Sequence, residues 1–102
     1  MANEVMAPQV LTKQPYESRF FNMDFSNLME DSETISSIVS ITSELIGGGD
    51  SDLILADETI DGQTVSFTIS GGTNAKRYKI EIRIITSTTN HLEGDGILKV
   101  RD

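Results

Sequence analysis

The sequence predicts an all-β protein folded as an antiparallel sandwich or barrel. Short apolar runs alternate with polar residues at a period of two, and glycine-, aspartate- and asparagine-rich turn signals separate them. The apolar residues are mostly Ile, Val and Leu, with four Phe, two Tyr and no Trp. Side chains of this kind fit a pleated surface better than a helix. At 102 residues the chain suits one domain with one core, large enough to fold alone but too small to enclose a deep cleft as well.

Residues 1–14 carry Pro8 and little periodicity, so they read as an extended N-terminal arm, with the sandwich domain over residues 15–102. Phe21, Met23 and Phe25 alternate with Asn22 and Asp24 and mark a first strand. Ser26-Asn27-Leu28-Met29-Glu30 offers a Ser cap and a single apolar turn, enough for one helical turn. In the next strand, Glu33 to Thr42, Ile35, Val39 and Ile41 share one parity. A helix over residues 35–46 is the alternative, but its five Ser/Thr and its β-branched residues are poor helix formers.

Leu53-Ile54-Leu55 is a weaker strand, and Asp61-Gly62 reads as a hairpin turn into Val65, Phe67 and Ile69. Ser70-Gly71-Gly72-Thr73-Asn74 then turns the chain, and the flanking strands are expected to pair antiparallel. Tyr78, Ile80, Ile82 and Ile84 alternate with Lys79, Glu81 and Arg83 in the cleanest strand of the chain. After the weak run His91-Leu92-Glu93, Gly94-Asp95-Gly96 reads as a reversal that sets Leu98 and Val100 against the preceding strand.

The formal net charge is −8, and between Asp24 and Asp61 lie ten Asp/Glu and no Lys or Arg. Such a surface repels phosphate backbones, so nucleic acid is not an expected partner. It is read as a solvated face, with a basic partner as the sharper alternative. No apolar stretch approaches the ~20 residues that span a bilayer, and the start MANEVMAPQV shows no secretory leader, so no membrane partner is expected. With no cysteine, disulfides and thiolate metal sites are excluded.

No motif specifies a reaction, and no catalytic, cofactor-binding or metal-binding residue is assigned. The single histidine, His91, cannot form an imidazole cluster and reads as an exposed turn residue. None of the serines lies in a nucleophile-elbow motif. Carboxylates are numerous enough for glycosidase-type chemistry, but a chain this short leaves no room for the cleft. Asp50-Ser51-Asp52 and Asp57-Glu58 with Asp61 depart from the twelve-residue calcium loop. Gly71-Gly72 lacks the Gly-Lys-Ser/Thr and the helix start of a phosphate cradle.

The order of local features resembles one family. Lys13-Gln14-Pro15-x-Glu17 precedes a strand ending in Asp24-Phe25-Ser26, and Asp31-x-Glu33-Thr34-Ile35-x-Ser37 follows. Val65-x-Phe67-x-Ile69-Ser70-Gly71-Gly72-Thr73 comes next, then Tyr78-x-Ile80, Ile84-x-Thr86-Ser87 and Leu98-x-Val100. Over residues 13 to 101 this is similar to the small tailed-bacteriophage virion proteins known as fibre–tail adaptors. The resemblance implies an immunoglobulin-like antiparallel β-sandwich without catalytic residues. It implies a structural protein of the virion tail or neck, assembled in the host cytoplasm, that joins tail fibres or spikes to the tail.

The implied partners are other virion proteins, met by several copies arranged in a ring. The residues expected to contact them are Val5, Met6, Val10 and Leu11 of the arm, together with Tyr16. An immunoglobulin-like module that recognises a host-surface glycan or protein is the alternative reading. It requires exposed aromatic residues on loops, for which Tyr16 is the main candidate.

Overall fold

The computed structural model of the chain describes residues 9–102. Seven strands form two sheets: β1 (Gln9–Lys13), β2 (Arg19–Asp24), β3 (Ile35–Leu45), β4 (Leu53–Asp61), β5 (Thr64–Gly71), β6 (Arg77–Thr86) and β7 (His91–Val100). Ser26–Leu28 is a single 3₁₀ turn, matching the short helical turn expected there. The four-stranded sheet has the order β1-β7-β6-β3 and the three-stranded sheet the order β2-β5-β4. Each sheet turns alternate residues inward: Val65, Phe67 and Ile69 from one, and Tyr78, Ile80, Ile82, Ile84, Leu98 and Val100 from the other. Met23, Phe25 and Ile35 complete a core whose members are all at most 6% exposed. The chain is therefore an all-β sandwich, as the alternation predicts.

Four local readings differ from the observed fold. Gln9–Lys13, expected in the arm, pairs in parallel with β7 from Gln9 opposite Gly96 to Lys13 opposite Val100. Extended backbone without a marked apolar alternation gave no sign of this strand. The strands flanking Ser70–Asn74 are not partners, because β5 already lies between β2 and β4, and β6 between β3 and β7. The five-residue connection instead carries the chain from one sheet to the other.

Gly94-Asp95-Gly96 is not a reversal; it lies inside β7, with Gly94 opposite Ile82 and Gly96 opposite Ile80. The glycine is there for space, since a Cβ on Gly94 would lie 2.6 Å from Met23 Sδ and 2.7 Å from Phe25 Cζ. Finally, Val39 does not share the buried parity of Ile35 and Ile41. Register shifts between Ile35 and Ser37 and between Ile38 and Ser40 leave Val39 58% exposed and turn Ile38 toward the core. Bulges of this kind also spoil a long edge strand as a template for unwanted pairing.

Two polar clusters fasten the ends of the sandwich. At one end Glu33, buried, gathers the β6–β7 connection: Thr86 Oγ1, Thr88 Oγ1 (2.6 Å) and Asn90 Nδ2 (3.0 Å) all donate to its Oε2. Its Oε1 accepts the Glu30 N–H at 3.1 Å. At the other end Tyr78, 1% exposed, donates its hydroxyl to Asp52 Oδ1 (2.5 Å) and accepts the Thr73 N–H (2.9 Å). Thr73 Oγ1 donates to the second oxygen of Asp52 at 2.7 Å. The Tyr78 hydroxyl, both Asp52 carboxylate oxygens and the Thr73 hydroxyl thus all have partners, as burial requires.

A Gly94→Ala substitution is expected to destabilise the fold by about 1–3 kcal/mol, the range for overpacking a filled core. Urea unfolding followed by circular dichroism reads it, and an unchanged midpoint contradicts the close approach of Met23 and Phe25. The donor set around Glu33, led by Thr86, lowers its pKa from 4.5 to about 2. A carboxylate whose pKa is depressed by folding stabilises the native state above its unfolded value and loses that contribution as the pH falls. Stability should therefore decline from near pH 4.5 towards pH 2, and Glu33→Gln should flatten that slope while lowering the midpoint at pH 7. A variant that keeps the wild-type slope would assign the decline to other carboxylates.

Candidate interaction surface

Among the residues expected to contact partners, Val5 and Met6 lie outside the described residues. The structure places the other three in different settings. Val10 sits on the outward face of β1, 61% exposed, whereas Leu11 is half-buried and packs against the core. Tyr16 stands at the tip of the turn after β1 and is 96% exposed. The sequence builds that turn around Lys13, whose aliphatic stem is buried and whose Nζ donates to the Gln14 carbonyl at 2.8 Å and the Glu17 carbonyl at 2.9 Å. Glu17 Oε1 accepts the Gln14 N–H, and the Glu17 N–H returns to the Gln14 carbonyl. Burial pulls the Lys13 pKa down, and Glu17 and Asp52 partly restore it. The turn is thus held from inside, and its aromatic ring is offered to solvent.

Sequence reasoning missed a second apolar feature. Phe20 is 63% and Ile54 61% exposed, on the outward face of the three-stranded sheet. Phe20 lies opposite Thr68 and Ile54 opposite Ser70, so the two flank β5 from either side. The signal was present: each stands out of phase with buried or half-buried neighbours, Phe20 with Phe21 and Met23, Ile54 with Leu53 and Leu55. In a two-layer fold the out-of-phase residues face water or a partner.

The outward face of the four-stranded sheet is charged instead. Glu81, Glu93 and Asp95 place carboxylate oxygens within 4.8 Å of one another, near enough to share a cation. Lys79 already pairs with Glu81 at 2.9 Å and Arg83 with Glu93 at 3.0 Å. Burial, with Glu93 alongside, raises the Asp95 pKa. On this open sheet face Arg83 and Glu93 form a favourable cross-strand pair, whereas Glu81 and Asp95 are like charges directly opposite each other.

The acidic residues weighed as a calcium loop are kept apart by the fold. Asp52 is engaged by Tyr78 and Thr73 before β4, whereas Asp61 ends that nine-residue strand. At about 3.3 Å per residue they cannot ligate one ion. His91 opens β7 with an exposed side chain. The arrangement therefore offers surfaces for association: an anchored Tyr16 turn, a Phe20/Ile54 patch and the β1 edge.

Among known proteins, the family model for the podophage GP4 fibre-tail adaptor protein gp77 matches residues 13–99 of the chain. No curated protein matches it. Because the Phe20 and Ile54 side chains are largely exposed, replacing both with threonine is expected to change the unfolding free energy by no more than about 0.5 kcal/mol. Chemical denaturation measures this, and a larger loss would place the two side chains in the core.

Proposed function

Since the chain belongs to the podophage GP4 fibre-tail adaptor family, we propose that it is a non-enzymatic virion protein joining tail fibres or spikes to the tail or neck. In this reading several copies form a ring, assembled in the host cytoplasm, and the apolar surfaces just described meet the other virion proteins. The observation that carries the proposal is the family match over residues 13–99, which spans β2 to β6, β7 up to its last residue, and every core residue except Val100.

The site geometry supports the same reading. An adaptor needs separate surfaces for separate partners, and this sandwich has an apolar patch on one sheet, a charged face on the other and an aromatic turn at one end. An immunoglobulin-like topology is part of the proposal, and two features favour it. The sheets β3-β6-β7 and β2-β5-β4 follow the CFG and BED orders of a seven-stranded immunoglobulin sandwich, with β1 beside the last strand. Tyr78, near the start of β6, reaches back to the backbone of Thr73 as the tyrosine corner of such domains does.

Residues 1–8 and the Tyr16 turn are assigned to neighbour contacts, with Val5, Met6, Val10 and Tyr16 as contributors. Strand addition at the free edge of β1 is a mode by which a neighbouring chain can join the sheet.

The decisive experiment mixes the purified chain with the tail and fibre proteins of its own phage and follows co-assembly by size-exclusion chromatography. Binding to both is expected. Deleting residues 2–8 should weaken assembly at an unchanged unfolding midpoint, while extending the deletion to Leu11 should also lower the midpoint by removing the β1–β7 ladder. Phe20→Thr with Ile54→Thr should weaken co-assembly at constant stability. A chain that binds host glycan and has no affinity for tail or fibre components overturns the adaptor reading.

A further inference from the structure

The eight cations of this acidic chain are not scattered over the fold. Lys76, Arg77, Lys99 and Arg101 line one notch of about 320 Å³, together with Ala75 and Val100. The antiparallel pairing of β6 with β7 gathers them, because Arg77 at the start of one strand lies opposite Lys99 near the end of the other. Among the described residues, none of the four takes part in a salt bridge. At the same end, Glu17 is engaged by Arg19 and by the Gln14 N–H, and Asp52 by Tyr78 and Thr73; Asp102 lines the adjoining hollow, Glu44 lies opposite Lys79 on β3, and Asp50 lies in the β3–β4 connection. Four like charges on one notch, with no carboxylate among the residues that line it, raise the local potential and favour an anionic partner.

The opposite end of the sandwich has the complementary chemistry. The β4–β5 hairpin closes there at Gly62-Gln63, and the segment from Asp24 to Ile35 wraps around it. The Phe25 N–H donates to the Gln63 carbonyl, the Ile35 N–H to the Gly62 carbonyl, and Gln63 Nε2 to the carbonyls of Glu30 and Glu33. This brings Asp24, Glu30, Asp31 and Asp61 to one end, all exposed, in a stretch of sequence with no Lys or Arg. The two ends are separated by the ten residues of β6, about 30 Å at strand spacing.

We infer that the cation-lined notch docks the acidic β4–β5 end of a second copy of this chain, so that neighbouring copies associate head to tail. The inference rests on the multi-copy assembly proposed above and names the faces that would meet. The occupant is a second copy because the chain itself carries the complementary surface at its far end. A contact between two different faces is heterologous and closes into a ring when its rotation permits. Charge complementarity also fixes direction, since notch-to-notch and acid-to-acid encounters are repulsive.

The test is sedimentation of the full chain across a concentration series in 0.1 M and 1 M NaCl, where the screening length falls from about 10 Å to about 3 Å. Three proteins are compared: wild type, Arg77→Glu with Arg101→Glu, and Asp31→Lys with Asp61→Lys. These four side chains make no hydrogen bond within the described residues, and matching circular dichroism and thermal midpoints verify that the variants fold. The wild type should self-associate in 0.1 M salt and lose that association in 1 M. Each variant alone should lose about tenfold or more of the association constant. An equimolar mixture of the two variants should associate again, because each reversal only neutralises its own end and each variant keeps intact the end that the other has lost.

An oligomer unmoved by salt or by either pair of reversals overturns this interface and leaves the multi-copy assembly standing. A wild type that stays monomeric in 0.1 M salt also overturns the interface. The copy number of the chain in the intact particle then judges the assembly separately. Variants that associate no better together than apart show that the two ends do not meet.

Discussion

The Tyr78 hydroxyl holds the corner on which the rest of the sandwich depends. Between β5 and β6 the chain leaves one sheet and enters the other, and that crossing fixes which faces become the core. Tyr78 sits at the first inward position of β6, so its ring belongs to the hydrophobic interior while its hydroxyl reaches the crossing loop. There it accepts the Thr73 N–H and donates to Asp52, which precedes β4 of the other sheet. One side chain thereby ties the loop, both sheets and the core together. Burial raises the pKa of the phenol, and the Asp52 carboxylate adds to the effect, so the hydroxyl keeps its proton and its role as donor.

Glycine serves the same corner by permitting close approach. Gly71 has φ +80 and Gly72 φ +98, and a Cβ on Gly71 would lie 2.6 Å from the Asp52 carbonyl oxygen. Space and backbone conformation both call for glycine here. The loop can therefore press against the strand that supplies Asp52, and the hydrogen bonds of Tyr78 close at ordinary lengths. Glu33 fastens the opposite end by a different device, one carboxylate collecting donors from the β6–β7 connection. The result is a two-layer body pinned at both ends, with β1, β3, β2 and β4 as the edge strands among the described residues.

How much of this could be read from sequence follows from what alternation encodes. Period-two patterning reports which side of a strand is buried, so β2, β5, β6 and the end of β7 were legible from Met23, Phe67, Ile82 and Leu98. It does not report which strand pairs with which, so nothing in the pattern shows that the strands on either side of Ser70–Asn74 belong to different sheets. Bulges alter the period itself, which misassigned Val39. Gly94 and Gly96 resemble turn residues in one dimension, and the Met23 sulfur and Phe25 ring packed above Gly94 explain a glycine within a strand. Tyr16 was legible as an exposed aromatic because it follows Pro15 in a loop. Phe20 and Ile54 were not singled out, since an apolar residue out of phase is also what a surface tolerates at random.

The distribution of charge has a consequence beyond solubility. A net charge of −8 keeps copies of the chain apart at long range, which favours a monomer while it is dilute. The basic residues are nevertheless not spent in neutralising that excess. Four of them are concentrated at the end where β6 begins and β7 nears its close, while four exposed acids, Asp24, Glu30, Asp31 and Asp61, collect around the hairpin at the other end. A uniform acidic surface would only repel its own kind, whereas a polarised one repels in most orientations and attracts in one. In the head-to-tail assembly proposed above, such polarity reconciles repulsion between dilute copies with order once they associate. In that proposal the choice of neighbour is made by charge at the ends, and the apolar surfaces along the sides stay available for chemically different partners.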